Sequence, residues 1–148
     1  MFAFIHDIVV PLLPKPKALL PGKLESYNEM LSSHFHAVVV SVGTIAVLAF
    51  YPDFISQPIT FWNSSGANVL KFSVGYFAYD LLVTIRSTVH SRNMKTFYIV
   101  HHAIGGAALT YVLAHKRCAG TALQCLLMEV NSVVTQRRSA LLYCAKKG

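Results

Sequence analysis

The chain is poor in charge. Of its 148 residues only 13% are Asp, Glu, Lys or Arg, and six are acidic. A soluble domain carries about 25%, so this composition argues against a water-facing globule. Cysteine is also scarce. Cys118, Cys125 and Cys144 make an odd number with no CxxC spacing, which excludes a disulfide framework or a zinc site built on paired thiols. Cys125 sits in an apolar run and reads as a small hydrophobe. No internal repeat or low-complexity tract is present. The net charge is +7, yet the basic residues form no stripe with interleaved aromatics. They gather at the ends of apolar runs, which fits membrane topology and not nucleic-acid binding. A cleavable leader is also missing from the pattern. Met1–Val10 is apolar but carries His6 and Asp7, has no basic leading region, and is followed by Pro11, Pro14, Pro16 and Pro21. Residues 1–22 read as a Pro-rich membrane-surface segment.

Apolar residues are abundant. They make up 54% of the chain, and the mean hydropathy is +0.49. Four segments, 34–51, 68–86, 97–114 and 119–136, each offer roughly 18 residues, or about 27 Å of helix, enough for a thin bilayer. The expected fold is an all-α, polytopic transmembrane helix bundle of about four spanning helices. Pro52 closes the first span, and residues 52–67, with Pro58, Asn63, Ser64, Ser65 and Gly66, read as a loop. Ten basic residues fall on one side (Lys15, Lys17, Lys23, Arg86, Arg92, Lys95, Arg137, Arg138, Lys146, Lys147) against Lys71, Lys116 and Arg117 on the other. The first side is therefore expected to be cytosolic. Loop 52–67 then faces the lumen, where Asn63-Ser64-Ser65 is a candidate glycosylation acceptor. Residues 144–148 read as a solvated basic tail. A dilysine retrieval signal needs lysines three and four from the end, whereas Lys146 and Lys147 stand three and two from it.

Ionisable groups inside apolar spans are costly and tend to face a bundle interior or a site. Three spans carry them. Asp80 lies six residues from Arg86, about 9 Å deep; His101 and His102 lie about 6–8 Å from Phe97; Glu129 lies about 10 Å from Gln136. All fall in one layer of the cytosolic half, with His36 on the same side. Tyr76, Asp80 and Thr84 share a helical row, as do Cys125, Glu129, Ser132 and Gln136. Tyr98, His102, Gly105 and Gly106 lie near one face of the third span, where small residues permit close approach. Adjacent helical residues diverge by about 100°, so only one of His101 and His102 can meet the cluster head on. An imidazole beside a carboxylate is suited to proton transfer. The same groups can also simply bond across helices and fix packing, and both readings stand. For His36 the packing reading is preferred, and Tyr76, Phe77, Tyr79, Tyr98 and Tyr111 read as packing residues or interfacial anchors.

Ser73-Val-Gly-Tyr-Phe-Ala-Tyr-Asp80, Tyr98-Ile-Val-His-His102, Leu127-Met-Glu129 with Asn131, and Thr135-Gln-Arg137, preceded by Tyr27-Asn28 and Ser33-His34-Phe35-His36-Ala37, resemble the TLC domain (TRAM, LAG, CLN), in particular the small TLC-domain-containing proteins. The resemblance covers residues 23–143. It implies a multispan membrane protein of the endoplasmic reticulum or another endomembrane, with the plasma membrane as the alternative. It also implies a role in membrane lipid homeostasis through lipid binding, sensing or regulation, with membrane lipids as partners. The ceramide synthase branch uses paired histidines with downstream aspartates for acyl transfer from acyl-CoA. Here the downstream stretch is Leu126-Leu-Met-Glu-Val-Asn-Ser132, with Glu129 and Asn131 near the place of those aspartates, which favours the non-synthase branch. Family domains continue with further helices after the Gln-Arg element, so the chain reads as a truncated or minimal member.

The site expected on these grounds is His101, His102, Asp80 and Glu129, acting in catalysis or lipid binding. No cofactor is expected, and acyl-CoA enters only as a substrate under an acyltransferase reading with a histidine general base. A metal-dependent hydroxylase or desaturase would need several HxxHH-type boxes, but Tyr98 stands three before His101 and there is no second box. A cargo-receptor or interaction role in the endoplasmic reticulum is a further alternative. Oligomeric state is open.

Overall fold

The computed structural model describes residues 24–86 and 92–136, and every regular element among them is a helix. Helix α1 spans Leu24–Phe50, α2 Asp53–Ser56, α3 Ser64–Arg86, α4 Arg92–His115 and α5 Ala119–Leu126. Residues 129–136 are helical again and are called α6. The expected N-terminal surface segment, 1–22, and the basic tail, 144–148, lie outside the described residues.

The 27, 23 and 24 residues of α1, α3 and α4 correspond to about 40, 34 and 36 Å of helix, longer than a hydrocarbon core of about 30 Å. Among the described residues, two stretches combine that length with an apolar composition. They are Tyr27–Phe50 and Lys95–His115, with mean hydropathy of 1.7 and 1.4 over their most apolar 18 residues. Helix α3 is long enough but carries Asn68, Lys71 and Asp80 among its apolar residues. The segment expected as a fourth span, 119–136, is not one helix. It is broken by a turn at Leu127 and Met128.

Helix α3 sits at the centre, packing most extensively on α4 and also meeting α1 and α5. Helices α1 and α4 run antiparallel to it. His36 of α1 stacks on Tyr76 while Gly43 meets Val69; Asp80 meets His102 of α4 while Phe77 meets Gly105. Small residues allow these approaches, as interfaces between membrane helices require. A Cβ on Gly105 would stand 2.9 Å from the Phe77 ring. The bundle interior is partly polar. Ser32, His36, Ser41, Thr44 and Ser73 are buried, as are Val40, Val47 and Leu70.

One end of the bundle is sealed. Pro52 stops α1, since proline cannot continue a helical ladder, and the chain turns through α2. Phe54 is fully buried against Gly66, Phe61 and Gly120. The Cys118 N–H donates to the Ile59 carbonyl at 2.8 Å and the Gly120 N–H to that of Pro58 at 3.0 Å. These bonds hold the α4–α5 turn, where Lys116 and Cys118 sit at φ 51° and 60°, a left-handed conformation costing non-glycine residues about 1 kcal/mol or more. Asn63 caps α3, its Oδ1 accepting the Gly66 N–H at 2.9 Å, as N-cap residues do. The candidate glycosylation acceptor thus has a structural task at the start of a helix.

Candidate functional site

The opposite end of the bundle is open. A cavity of about 520 Å³ lies there between α1, α3, α4 and α6, and its lining includes Asp80, His101, His102 and Glu129. The four residues expected from sequence share this one space.

Asp80 is its anchor. Tyr76, one turn earlier, donates its phenol to Oδ1 at 3.0 Å, and Thr84, one turn later, donates to Oδ2 at 3.5 Å. From α4, His102 Nε2 approaches Oδ2 at 3.1 Å, with both side chains largely buried (10% and 16% exposed). Nδ1 of the same ring lies 2.8 Å from the Tyr98 carbonyl oxygen. A carbonyl only accepts, so Nδ1 carries a proton. The Nε2–Oδ2 contact then holds one further proton, on the imidazolium or on the carboxyl group. Both ring nitrogens of His102 are therefore committed to protein partners.

His101 turns the other way. It is exposed, stacks on Phe97 at 6.2 Å between ring centroids, and meets Phe77 edge-on. The divergence of adjacent helical residues has divided the histidine pair: one ring is locked to Asp80, the other lies at the mouth. Glu129 is half-buried in the α6 wall. Of the row expected with it, Ser132 and Gln136 also line the cavity, but the turn at 127–128 takes Cys125 out of line, and it is exposed.

Two participants outside the expected four are Ser33 and Gln136. Gln136 Nε2 donates to Ser33 Oγ at 2.6 Å, joining α6 to α1, and Ser33 lines the cavity together with Tyr76. Two sets of polar contacts thus border the cavity, a chain Tyr76–Asp80–His102–Tyr98 between α3 and α4 and the bond Gln136–Ser33 between α6 and α1. Ser33 gives no signal alone; its clue is the Ser33-to-His36 motif that opens the domain. His36 lies beside this chain rather than in it. It is 1% exposed, with its ring parallel to that of Tyr76 at 3.8 Å, as the packing reading expects.

Residues 26–148 match the TLC domain. The chain belongs to the TLC domain family. Among its relatives, TLC domain-containing protein 1 of Mus musculus is 27% identical over 124 residues, covering 82% of this chain and 49% of the relative. TLC domain-containing protein 1 of Gallus gallus is 28% identical over 131 residues (87% and 51%), and TLC domain-containing protein 2 of Danio rerio is 25% identical over 117 residues (78% and 46%). The chain spans about half the length of these relatives. No solved structure matches it. Membership fits the apolar helices and makes this an all-α membrane protein of the TLC type. In this TLC domain the polar layer is the open end of the bundle, while the loop with Phe54 closes the other.

Proposed function

We propose that this TLC domain binds a membrane lipid, seating its head group in the open cavity, and serves membrane lipid homeostasis through binding, sensing or regulation. The supporting observation is a cavity of about 520 Å³ with a Tyr76- and Thr84-supported Asp80–His102 pair on its wall, bordered by α1 and α4, which are apolar enough to cross a membrane. Binding sites combine apolar walls with a few placed polar groups. The charge of the lining narrows the ligand. Glu29, Asp80 and Glu129 contribute carboxyl groups, and no lysine or arginine is among the described lining residues. Such a wall favours a head group presenting hydrogen-bond donors over an anionic one. We place the protein in the endoplasmic reticulum or another endomembrane, following its resemblance to the TLC domain family.

An acyltransferase is the second reading, and His101 is the observation in its favour. The ring lies at the cavity 5.2 Å from that of His102, where a general base would stand. Against it, His102 has no nitrogen to offer a substrate, and the described lining holds no cation for the phosphates of acyl-CoA.

Lipid mass spectrometry of the detergent-purified protein, wild type beside His101→Ala with His102→Ala, tests the first reading. A co-purifying lipid lost in the double variant is expected, and identical lipid content in both would reject the cavity as the binding site. Incubation with acyl-CoA and lipid acceptors tests the second: product formed by the wild type and lost with His101→Ala would establish it, and no product from the wild type would remove it.

A further inference from the structure

We infer that α6 is a hinged wall of the cavity, turning about residues 127–128 and latched to α1 by Gln136 on Ser33.

The hinge is in the backbone. Around the break, hydrogen bonds close over three residues instead of four: Leu127 N–H to Gln124 O at 3.2 Å, Met128 to Cys125 at 3.1 Å, Val130 to Leu127 at 3.1 Å and Asn131 to Met128 at 3.1 Å. Such tight turns have poorer hydrogen-bond geometry, and inside a longer helix they often mark a hinge. Packing holds it on one side only: Leu127 rests against the core, whereas Met128 is 73% exposed and Cys125 is exposed too.

The segment beyond the hinge is a wall. Five of its eight residues, Glu129, Asn131, Ser132, Thr135 and Gln136, line the cavity. Swinging α6 outward would therefore widen access to the Asp80–His102 pair, which α3 and α4 hold between them.

The latch is balanced. Gln136 Nε2 donates to Ser33 Oγ at 2.6 Å, but Oε1 of the same amide is buried and accepts nothing. An unmet buried acceptor costs about as much as a side-chain hydrogen bond contributes, or more. Opening breaks that bond but gives the stranded oxygen access to water or a ligand, so the Gln136 amide itself contributes little net hold on α6. The latch also borders the site, since Ser33 and Gln136 line the same cavity as Tyr76, which holds Asp80.

The test is labelling by a water-soluble maleimide in a full chain with Cys118, Cys125 and Cys144 replaced by serine. Ser132→Cys reports on the wall, and Ser73→Cys, at a fully buried position of α3, reports on the rest of the bundle. Ser33→Ala, which removes the bond and leaves the whole amide stranded, should speed labelling at 132 about three- to tenfold, the loss of one modest hydrogen bond, while Gln136→Leu, which deletes the bond and the unmet oxygen together, should not speed it beyond about twofold, with no change at 73 in either. An unchanged rate at 132 in Ser33→Ala, or equal acceleration at 73, would overturn the inference. The readout needs no ligand, so its failure leaves the lipid reading standing, and failure of the lipid reading leaves the hinge standing.

Discussion

His102 and Asp80 meet at 3.1 Å between α4 and α3, and the far nitrogen of the same ring is held by the Tyr98 carbonyl at 2.8 Å. The pair therefore couples two long helices and fixes the imidazole against rotation. Removing one member leaves the other buried without its partner. For a buried pair that costs about 3–5 kcal/mol; with 10–16% of each side chain still exposed, we expect about 2–4 kcal/mol for His102→Ala or Asp80→Ala. The double variant should lose less than the sum, with a coupling of about 1–3 kcal/mol. Thermal unfolding in detergent around this cycle measures it, and strict additivity would show that the contact contributes nothing.

The same geometry makes a spectroscopic prediction. Because the Tyr98 oxygen has no proton to give, His102 must be protonated at Nδ1 throughout the range in which the fold persists. Nitrogen-15 shifts of histidine-labelled protein, assigned through His102→Gln, should show a protonated Nδ1. A deprotonated Nδ1 would mean that the bond to Tyr98 does not form.

His101 should behave differently from its neighbour. Its ring is exposed, with aromatic contacts to Phe97 and Phe77. We expect His101→Ala to change stability by about 0.5 kcal/mol or less, the range of surface substitutions away from buried networks. A loss as large as that of His102→Ala would place the two histidines in one network.

Much of this arrangement is visible in the sequence because membrane burial restricts what ionisable residues can do. Asp80, His102 and Glu129 have few places to go inside apolar runs, and counting residues from the basic helix ends places them in one layer. The rest depends on contacts far apart in the chain. Helix α1 begins at Leu24, ten residues before the expected span, because its first turns carry Glu25, Asn28, Glu29 and Ser33, which continue the helix without adding to the apolar run. Residues 52–67 read as a simple loop, yet 53–56 form α2, α3 already begins at Ser64, and Phe54 is buried against glycines 12 and 66 residues later, a docking that no local pattern reports. The break at Leu127 and Met128 falls between two good helix formers, so composition cannot announce it. Gln136 stands in the expected row, but its partner Ser33 lies 103 residues away.

Two glycines make a contrast that tests the sealed end. A Cβ on Gly120 would stand 2.0 Å from the Phe54 carbonyl oxygen and 2.6 Å from Pro58 Cα, both backbone atoms that cannot swing aside. Gly120→Ala should cost about 3 kcal/mol or more, at the upper end of overpacking penalties. On Gly105 the nearest obstacle is the edge of the Phe77 ring at 2.9 Å, which has to shift slightly, while alanine gains about 1 kcal/mol in helix propensity over glycine. Gly105→Ala should fall within about 1 kcal/mol of wild type. Unfolding midpoints of the two variants check the ranking, and equal losses would contradict the close approach of the 52–63 loop to α5.

His36 offers the most direct separation of packing from polarity. Its ring is 1% exposed, lies parallel to Tyr76 at 3.8 Å with 10° between planes, and stacks more distantly on Phe72 at 5.9 Å. Its Nε2 is buried and has no hydrogen-bond partner. Stacking contributes about 0.5–1.5 kcal/mol beyond burial, and the stranded nitrogen costs about 1–3 kcal/mol. Phenylalanine keeps the stack and deletes the cost, offset by the strain of a slightly larger ring. His36→Phe should therefore be neutral or stabilising by about 1 kcal/mol. His36→Ala, which keeps neither ring nor volume, should lose about 3 kcal/mol through the cavity it leaves. The two unfolding measurements together decide the matter, because a purely structural ring requires Phe to rescue what Ala destroys. If Phe proves as harmful as Ala, the nitrogen itself is used, and His36 belongs with Asp80 and His102 in the polar chain.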